Sequence, residues 1–272
     1  MRGENVVIKT PGDLARMRRA GRLAAEAIRE VAAAVAPGVS TAALDQIADT
    51  FIRARGGVPS FKDYPGSSGL LPRYPASICA SINDEVVHGI PGPRVLQAGD
   101  IVSLDVGVLL DGFHGDVAVT VPVGAVGPDV RRLIEVTEEA LARGIDAARP
   151  GARLGDVGWA IQSVIEAAGF SAVREFAGHG IGESLHEDPQ VPNIGRPGTG
   201  PRLRPGMTLA IEPMVNMGTS DVFVEGDGWT VRTRDRSLSA HAEHTVAITE
   251  NGPEVLTGLN GTRAHILKDN CG

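Results

Sequence analysis

Residues 40 to 55, "STAALDQIADTFIRAR", put apolar side chains at 44, 47, 48, 51 and 52, a spacing that predicts an amphipathic helix with Ser40 or Thr41 as its N-cap. Upstream, residues 11 to 36 are dominated by alanine, arginine, leucine and glutamate. They predict a first helix that begins beside Pro11 and is ended by Pro37 and Gly38. The same grammar returns later as "GPDVRRLIEVTEEALARGIDAAR", then Pro150 and Gly151, then "ARLGDVGWAIQSVIEAAGF", which predicts a second pair of helices. Strand signals repeat as well. "LQAGDIVSLD" (96 to 105) and "LRPGMTLAIE" (203 to 212) share a leucine, a glycine three places on and a carboxylate six beyond it, so Asp105 and Glu212 are equivalent positions. "HGIP" (88 to 91) echoes "HGIG" (179 to 182). The offsets, 113, 107 and 91 residues, fit an old duplication with drifted loops rather than a short-period solenoid. Two such halves, roughly 11 to 125 and 126 to 250 of a single domain spanning 1 to 272, would pack as an α+β unit with their carboxylates near a common axis.

The stretch "GDIVSLDVGVLLDGFHGDVAVTVPVG" alternates, is rich in valine and isoleucine, and holds Asp111-Gly112 as a hairpin signal. With those two residues as the loop, positions summing to 223 face each other. Asp116 then opposes Gly107, and Asp105 is its diagonal neighbour, with Gly107 leaving space above the pair. Aspartates inside an apolar strand are disfavoured by propensity and by burial of charge, and two on one face repel each other. A cation between them resolves the conflict. Glu212 interrupts "MTLAIEPMV" and Glu243 interrupts "SLSAHAEHTVAIT", which makes four carboxylates in strand-like sequence. His179 joins them because Gly178, Gly180 and Gly182 let backbone approach closely around it. One imidazole with four carboxylates is a hard, oxygen-rich donor set suited to a pair of divalent transition ions and unlike a thiolate zinc site. His241, His244 and His114 are assigned supporting or surface positions.

Composition narrows the classes. The 272 residues are 42% hydrophobic and 22% charged, as in ordinary globular proteins. A net charge of −7 argues against an extended nucleic-acid surface. Cys79 and Cys271 lie far apart and suggest no disulfide framework, which fits a reducing cytoplasm. The amino terminus lacks an apolar signal core, and no window approaches the roughly 20 apolar residues needed to span a bilayer, so no membrane partner is expected.

These residues in this order resemble the type I methionine aminopeptidases, of the pita-bread metallopeptidase fold. The match runs from "RMRRAGRLAA" through "SINDEVVHGIPG", "LDVGVLLDGFHGD", "GHGIGESLHEDPQV" and "IEPMV" to "RDRSLSAHAEHT". The resemblance implies an α+β fold of two pseudo-symmetric halves with a central antiparallel sheet flanked by helices. It implies two divalent ions (Co, Mn, Fe or Zn), with Asp105 on one, His179 and Glu212 on the other, and Asp116 and Glu243 bridging both. Such ions would activate a water and polarise a scissile carbonyl. Glu212 would relay the water's proton, His186 would reach the peptide carbonyl oxygen, and His88 would lie near the scissile amide. Tyr74, Cys79 and Trp229 match positions of a methionine pocket, with Phe61 and Tyr64 at its rim.

The implied activity is removal of the initiator methionine from nascent chains and peptides whose second residue is small, by a cytoplasmic monomer with the ribosome as a further candidate partner. An Xaa-Pro aminopeptidase or prolidase of the same fold is the alternative enzyme, and a non-catalytic peptide-binding relative is the alternative of another class. Two stretches depart from the family pattern. Leu185 stands where many relatives carry an aromatic, and residues 65 to 73, "PGSSGLLPR", are longer than the usual turn between the two tyrosines.

Overall fold

A computed structural model of the chain describes residues 5–66 and 72–258. Helices α1 (Pro11–Ala33) and α2 (Thr41–Ala54) come first, followed by β1 (Val58–Pro59), β2 (Cys79–Ile82), β3 (Glu85–Val87) and a long hairpin of β4 (Ile101–Leu110) and β5 (Phe113–Pro122). Helices α3 (Pro128–Ala147) and α4 (Leu154–Ala167) are next, then β6 (Ser171–Ala172), β7 (Ala177–Gly180), β8 (Glu187–Pro192) and β9 (Thr208–Ile211). The remaining strands are β10 (Met214–Asn216), β11 (Val222–Val224), β12 (Val231–Thr233), β13 (Ser239–His241), β14 (Glu243–Thr249) and β15 (Gly252–Val255). All four helices lie where the sequence predicts them. Local chemistry sets their starts: Ser40 accepts from the Ala43 amide, and Thr10 and Asp13 form a reciprocal capping box ahead of Pro11.

Nine strands form one antiparallel sheet in the order β1-β4-β5-β14-β9-β7-β8, with β2 also on β4 and β15 also on β14. Helices α1 and α2 cover one half of it, burying Leu23, Ile28, Leu44 and Ile52 against Leu104, Val106 and Val117. Helices α3 and α4 cover the other, burying Leu133, Ile145, Ile161 and Ile165 against Leu209, Ile211 and Val246. The α1 helix rides directly on β5 because glycine meets glycine there: a Cβ on Gly115 would lie 2.6 Å from the backbone nitrogen of Gly21.

The same hydrogen-bonded frame occurs twice. Gly38 donates to the Leu96 carbonyl and Gly151 to that of Leu203, each at 2.9 Å, and both glycines have φ near +90°. Gly99 donates to Val123 and Gly206 to Ile248, again at 2.9 Å each, while Val123 and Ile248 donate to Asp100 and Met207 at 2.8 Å. Hairpin β4–β5 and pair β9–β14 are thereby matched, and β5 pairs with β14 across the seam, Glu243 facing Ala118. The third echo is different. Against β9, His179 faces Ala210, the place that Ser81 of β2 takes against Ser103 of β4. His88 lies beyond β3, outside the large sheet, so "HGIP" and "HGIG" are not equivalent in the fold. Among the described residues no helix is long and apolar enough to cross a membrane.

Candidate active site

The hairpin register is the predicted one, with Leu110 facing Phe113 and Gly107 facing Asp116, so Asp105 and Asp116 share a face as diagonal neighbours. Asp111 and Gly112 both have positive φ, which matches the twist of the strands they join. The space expected above Gly107 is filled: a Cβ there would lie 2.8 Å from both the Phe61 ring and Ser60. The two glutamates differ from expectation in detail. Glu212 lies just past β9 and Glu243 opens β14, each where the chain leaves one sheet for another. Pro213 has no amide proton to continue the ladder, which ends the strand at the carboxylate.

At the seam the four carboxylates and His179 face one cavity of about 690 Å³. Donor atoms of Asp116, His179 and Glu243 lie within 4.8 Å of one another. Nε2 of His179 is 3.6 Å from Oε1 of Glu212. The His179 Nδ1 proton is committed to the carbonyl of its neighbour Gly180 at 2.8 Å, which leaves Nε2 as a lone-pair donor pointing at the carboxylates. Burial, with the His186 ring beside it, pushes the His179 pKa down to about 3, so the imidazole is neutral at ordinary pH. The carboxyls move the other way. Burial and then the Asp116 charge hold Asp105, Glu212 and Glu243 well above the usual range, and burial pushes Asp116 up to about 7. Oδ1 of Asp105 and Oε1 of Glu243 are buried without a hydrogen-bond donor. Buried, orphaned and mutually repelling oxygens beside a neutral imidazole fit divalent cations, which would satisfy all of them together.

His186 lines the same cavity, its ring 4.2 Å from that of His179. His88 lines it too, with φ of +61°, a strained conformation for a non-glycine residue, and its ring meets Phe176 and Trp229 edge-on at 5.9 and 6.3 Å. Burial lowers the His88 pKa to about 4. An apolar end is built from Phe61, Tyr74, Cys79 and Trp229. Tyr74 stands edge-on to both Trp229 and Phe61, at 5.2 and 6.4 Å, and its hydroxyl is shared between the carbonyls of Ile78 and Gly89. Cys79 faces Asp105 across β2–β4, and burial next to that carboxylate keeps it a neutral thiol. Tyr64 and Leu185 complete the wall. Every site residue expected from the sequence therefore lines one cavity.

Three histidines need correction or refinement. His241 and His244 are buried, 2% and 3% exposed, and not at the surface. His241 backs Glu212, and His244 bonds Thr257 through Nδ1 at 2.8 Å. His114 supports from behind, its Nδ1 2.8 Å from the Ser60 hydroxyl and its amide donating to Gly182. Phe176, Pro65, Val224, Gly228 and Val231 also line the cavity and were not foreseen. Phe176, three residues before His179, carried a usable signal as one of only six phenylalanines. Residues 67–71 of the lengthened 65–73 stretch, Cys271 and the initial Met1-Arg2 lie outside the described residues.

The model of metallopeptidase family M24 matches residues 15–250. The chain is 52% identical over 252 residues to methionine aminopeptidase 1 of Bacillus subtilis, covering 93% of this chain and 99% of that protein. A crystal structure of methionine aminopeptidase from Rickettsia prowazekii superposes with a TM-score of 0.89 at 45% identity, covering 93% of this chain and all of that one. The prolidase from Pyrococcus furiosus shares the fold alone, with a TM-score of 0.75 at 21% identity over 93% of this chain and 66% of its own.

Proposed function

Because the chain belongs to metallopeptidase family M24, among its methionine aminopeptidases, we propose that it removes the initiator methionine from nascent chains and peptides whose second residue is small. The observation that carries this is the convergence on one cavity of five metal-type donors, two further histidines and an aromatic apolar end. Asp105 would hold one divalent ion, His179 and Glu212 a second, with Asp116 and Glu243 shared. When bound, such a pair supplies Lewis-acid activation of water and of the scissile carbonyl, and Co, Mn, Fe and Zn all suit these donors.

The chain's own groups do the rest. Glu212 accepts the proton of the attacking water on a carboxylate oxygen and relays it to the amine nitrogen as the C–N bond breaks. His186 donates to the carbonyl oxygen as negative charge develops there, and His88 orients the amide. The thioether of methionine is flexible and polarizable and suits the edges of Phe61, Tyr74 and Trp229 and the thiol of Cys79, with Tyr64 at the rim. The repeated glycine turns support an old duplication of halves 11 to 125 and 126 to 250 within one domain spanning 1 to 272. The proposal extends to a cytoplasmic monomer with the ribosome as a candidate partner, since initiator methionine is exposed on chains leaving the ribosome.

The test is hydrolysis of short peptides with Met, Pro or Leu first, read by mass spectrometry after metal supplementation. Met-Ala and Met-Gly peptides are expected to be cut well, and Met-Lys and Met-Phe poorly. Preference for Pro-first peptides would favour the prolidase alternative, and no hydrolysis with any metal would favour a peptide-binding relative.

A further inference from the structure

Tyr64 sits half-buried in the cavity wall with its hydroxyl 2.5 Å from Nδ1 of His186, and its ring meets the imidazole edge-on with 5.1 Å between centroids. We propose that Tyr64 is a positioning residue that fixes the His186 proton on Nε2, the nitrogen left to face the substrate carbonyl. The inference rests on the role of His186 as donor to that oxygen.

The direction of the hydrogen bond follows from the chemistry of the two groups. A phenol oxygen shares its lone pairs with the ring and accepts weakly, whereas an unprotonated imidazole nitrogen is a strong acceptor and the phenol O–H a good donor. Above about pH 7 an ordinary imidazole and an ordinary phenol are both uncharged. A neutral imidazole has one N–H. If Nδ1 accepts from Tyr64, the proton must be on Nε2, which is the form that can stabilise a developing oxyanion. With the proton on Nδ1 instead, Nε2 would present a lone pair to that oxygen and repel it.

The tyrosine is itself held in place. Its amide donates to the Phe61 carbonyl at 2.9 Å and its carbonyl accepts from Tyr74 at 3.0 Å, while Asp63, just before it, has positive φ. The neighbouring His179 does not compete, since its own Nδ1 proton is spent on Gly180. The arrangement resembles the third group that orients a catalytic histidine in a triad, with a phenol in place of a carboxylate. Unlike a carboxylate, a phenol leaves the histidine without a stabilised positive charge, in keeping with a donor that does not have to act as a base.

The experiment compares Tyr64→Phe, His186→Ala and the double variant, each loaded with zinc, using a Met-Ala peptide. In parallel, ¹⁵N-labelled histidine is observed by NMR in the zinc-loaded wild type and Tyr64→Phe, the His186 signals being assigned from their loss in His186→Ala. We expect a single Nε2–H tautomer of His186 in the wild type and a mixture in Tyr64→Phe. Removing the hydroxyl should lower kcat about tenfold, the rate equivalent of one ordinary hydrogen bond, with KM and bound zinc unchanged. In the His186→Ala background the same change should cost nothing more. Additive losses, an Nδ1–H tautomer in the wild type, or a rise in KM at constant kcat would overturn the proposal and return Tyr64 to a rim contact. Full activity of His186→Ala would instead overturn the assigned role of His186.

Discussion

Nε2 of His241 stands 3.6 Å from Oε2 of Glu212, buried and with no hydrogen-bond partner. Since His179 lies at the same distance from the other oxygen, the carboxylate is bracketed by two neutral imidazoles. Groups behind a metal ligand that set its orientation typically contribute 10- to 100-fold in affinity. His241→Ala is expected to weaken metal binding by about that factor, read by calorimetric titration, while His244→Ala, which loses its bond to Thr257, should change affinity far less. Equal effects of the two substitutions would remove the special place given to His241.

The stability that the site carboxylates contribute to the metal-free protein should fall as pH rises from about 4 to about 7. Asp105, Asp116, Glu212 and Glu243 have folded pKa values raised above their unfolded ones, so the stability they contribute is complete below the unfolded pKa and is lost as pH rises through the folded value. For Asp116 that value is about 7, and Asp105, Glu212 and Glu243 are raised in the same direction. The buried histidines, whose folded pKa values are lowered, act in the opposite direction below their unfolded value of about 6.5, with and without metal alike, so the comparison with metal isolates the carboxylates. Bound metal neutralises the carboxylates and should flatten the dependence. Calorimetric Tm values at pH 5 and 7, with and without chelator, decide it: the gap between metal-bound and metal-free protein should widen with pH, and a gap that narrows would contradict the carboxylate account.

The loop that carries His186 is anchored by a buried ion pair between Lys9 and Glu187, whose side chains are 3% and 11% exposed. Glu187 also accepts from the Ser184 amide, and a side chain at Gly182 would run into both partners. Lys9→Met leaves the Glu187 charge buried alone and is expected to cost roughly 3–5 kcal/mol in denaturant unfolding. Adding Glu187→Gln keeps an acceptor for Ser184 and removes the stranded charge, so the double variant should regain part of that loss. A double variant less stable than Lys9→Met would show that the cost lies elsewhere.

What could be read from the sequence was local. The Asp111-Gly112 turn sets the β4–β5 register, and with it the approach of Asp116 to Asp105, because both turn residues take up positive φ. Pro-Gly pairs after the first and third helices likewise mark a turn that recurs in three dimensions. Contacts between distant segments left no such trace. Phe61 enters the space over Gly107, Lys9 meets Glu187 across 178 positions, and Tyr64 meets His186 across 122. Alternation puts His241 on the face of Glu243 and His244 on the opposite one, and the burial of His244 was hidden because nothing local shows that both faces of "SLSAHAEHT" are covered. In the fold it divides between two sheets at Ala242, turning both His241 and Glu243 inward.

Trp229 separates binding of the methionine side chain from the chemistry. Its indole N–H donates to the Pro72 carbonyl at 2.9 Å, and its ring meets Tyr74 edge-on at the apolar end of the cavity. It makes no bond to the carboxylates, to His179 or to His186, and it reaches the amide end through an edge contact with the His88 ring at 6.3 Å. An aromatic edge contact is worth about 0.5–1.5 kcal/mol beyond the area it buries, which is about 2- to 10-fold, so Trp229→Ala is expected to raise KM for a Met-Ala peptide by at least that factor. Because the bound methionine would still be presented to an intact donor set, kcat should change little. His186→Ala should show the opposite split, with kcat lower by about 10²–10³ and metal content normal, the range for losing one oxyanion donor. Trp229→Phe keeps a ring edge against Tyr74 and should fall between wild type and alanine. Discrimination between Met-first and Leu-first peptides should narrow in the same order, because it depends on how closely the pocket fits an unbranched thioether. A Trp229→Ala enzyme with unchanged KM and collapsed kcat would move the tryptophan out of the pocket and into the reaction itself.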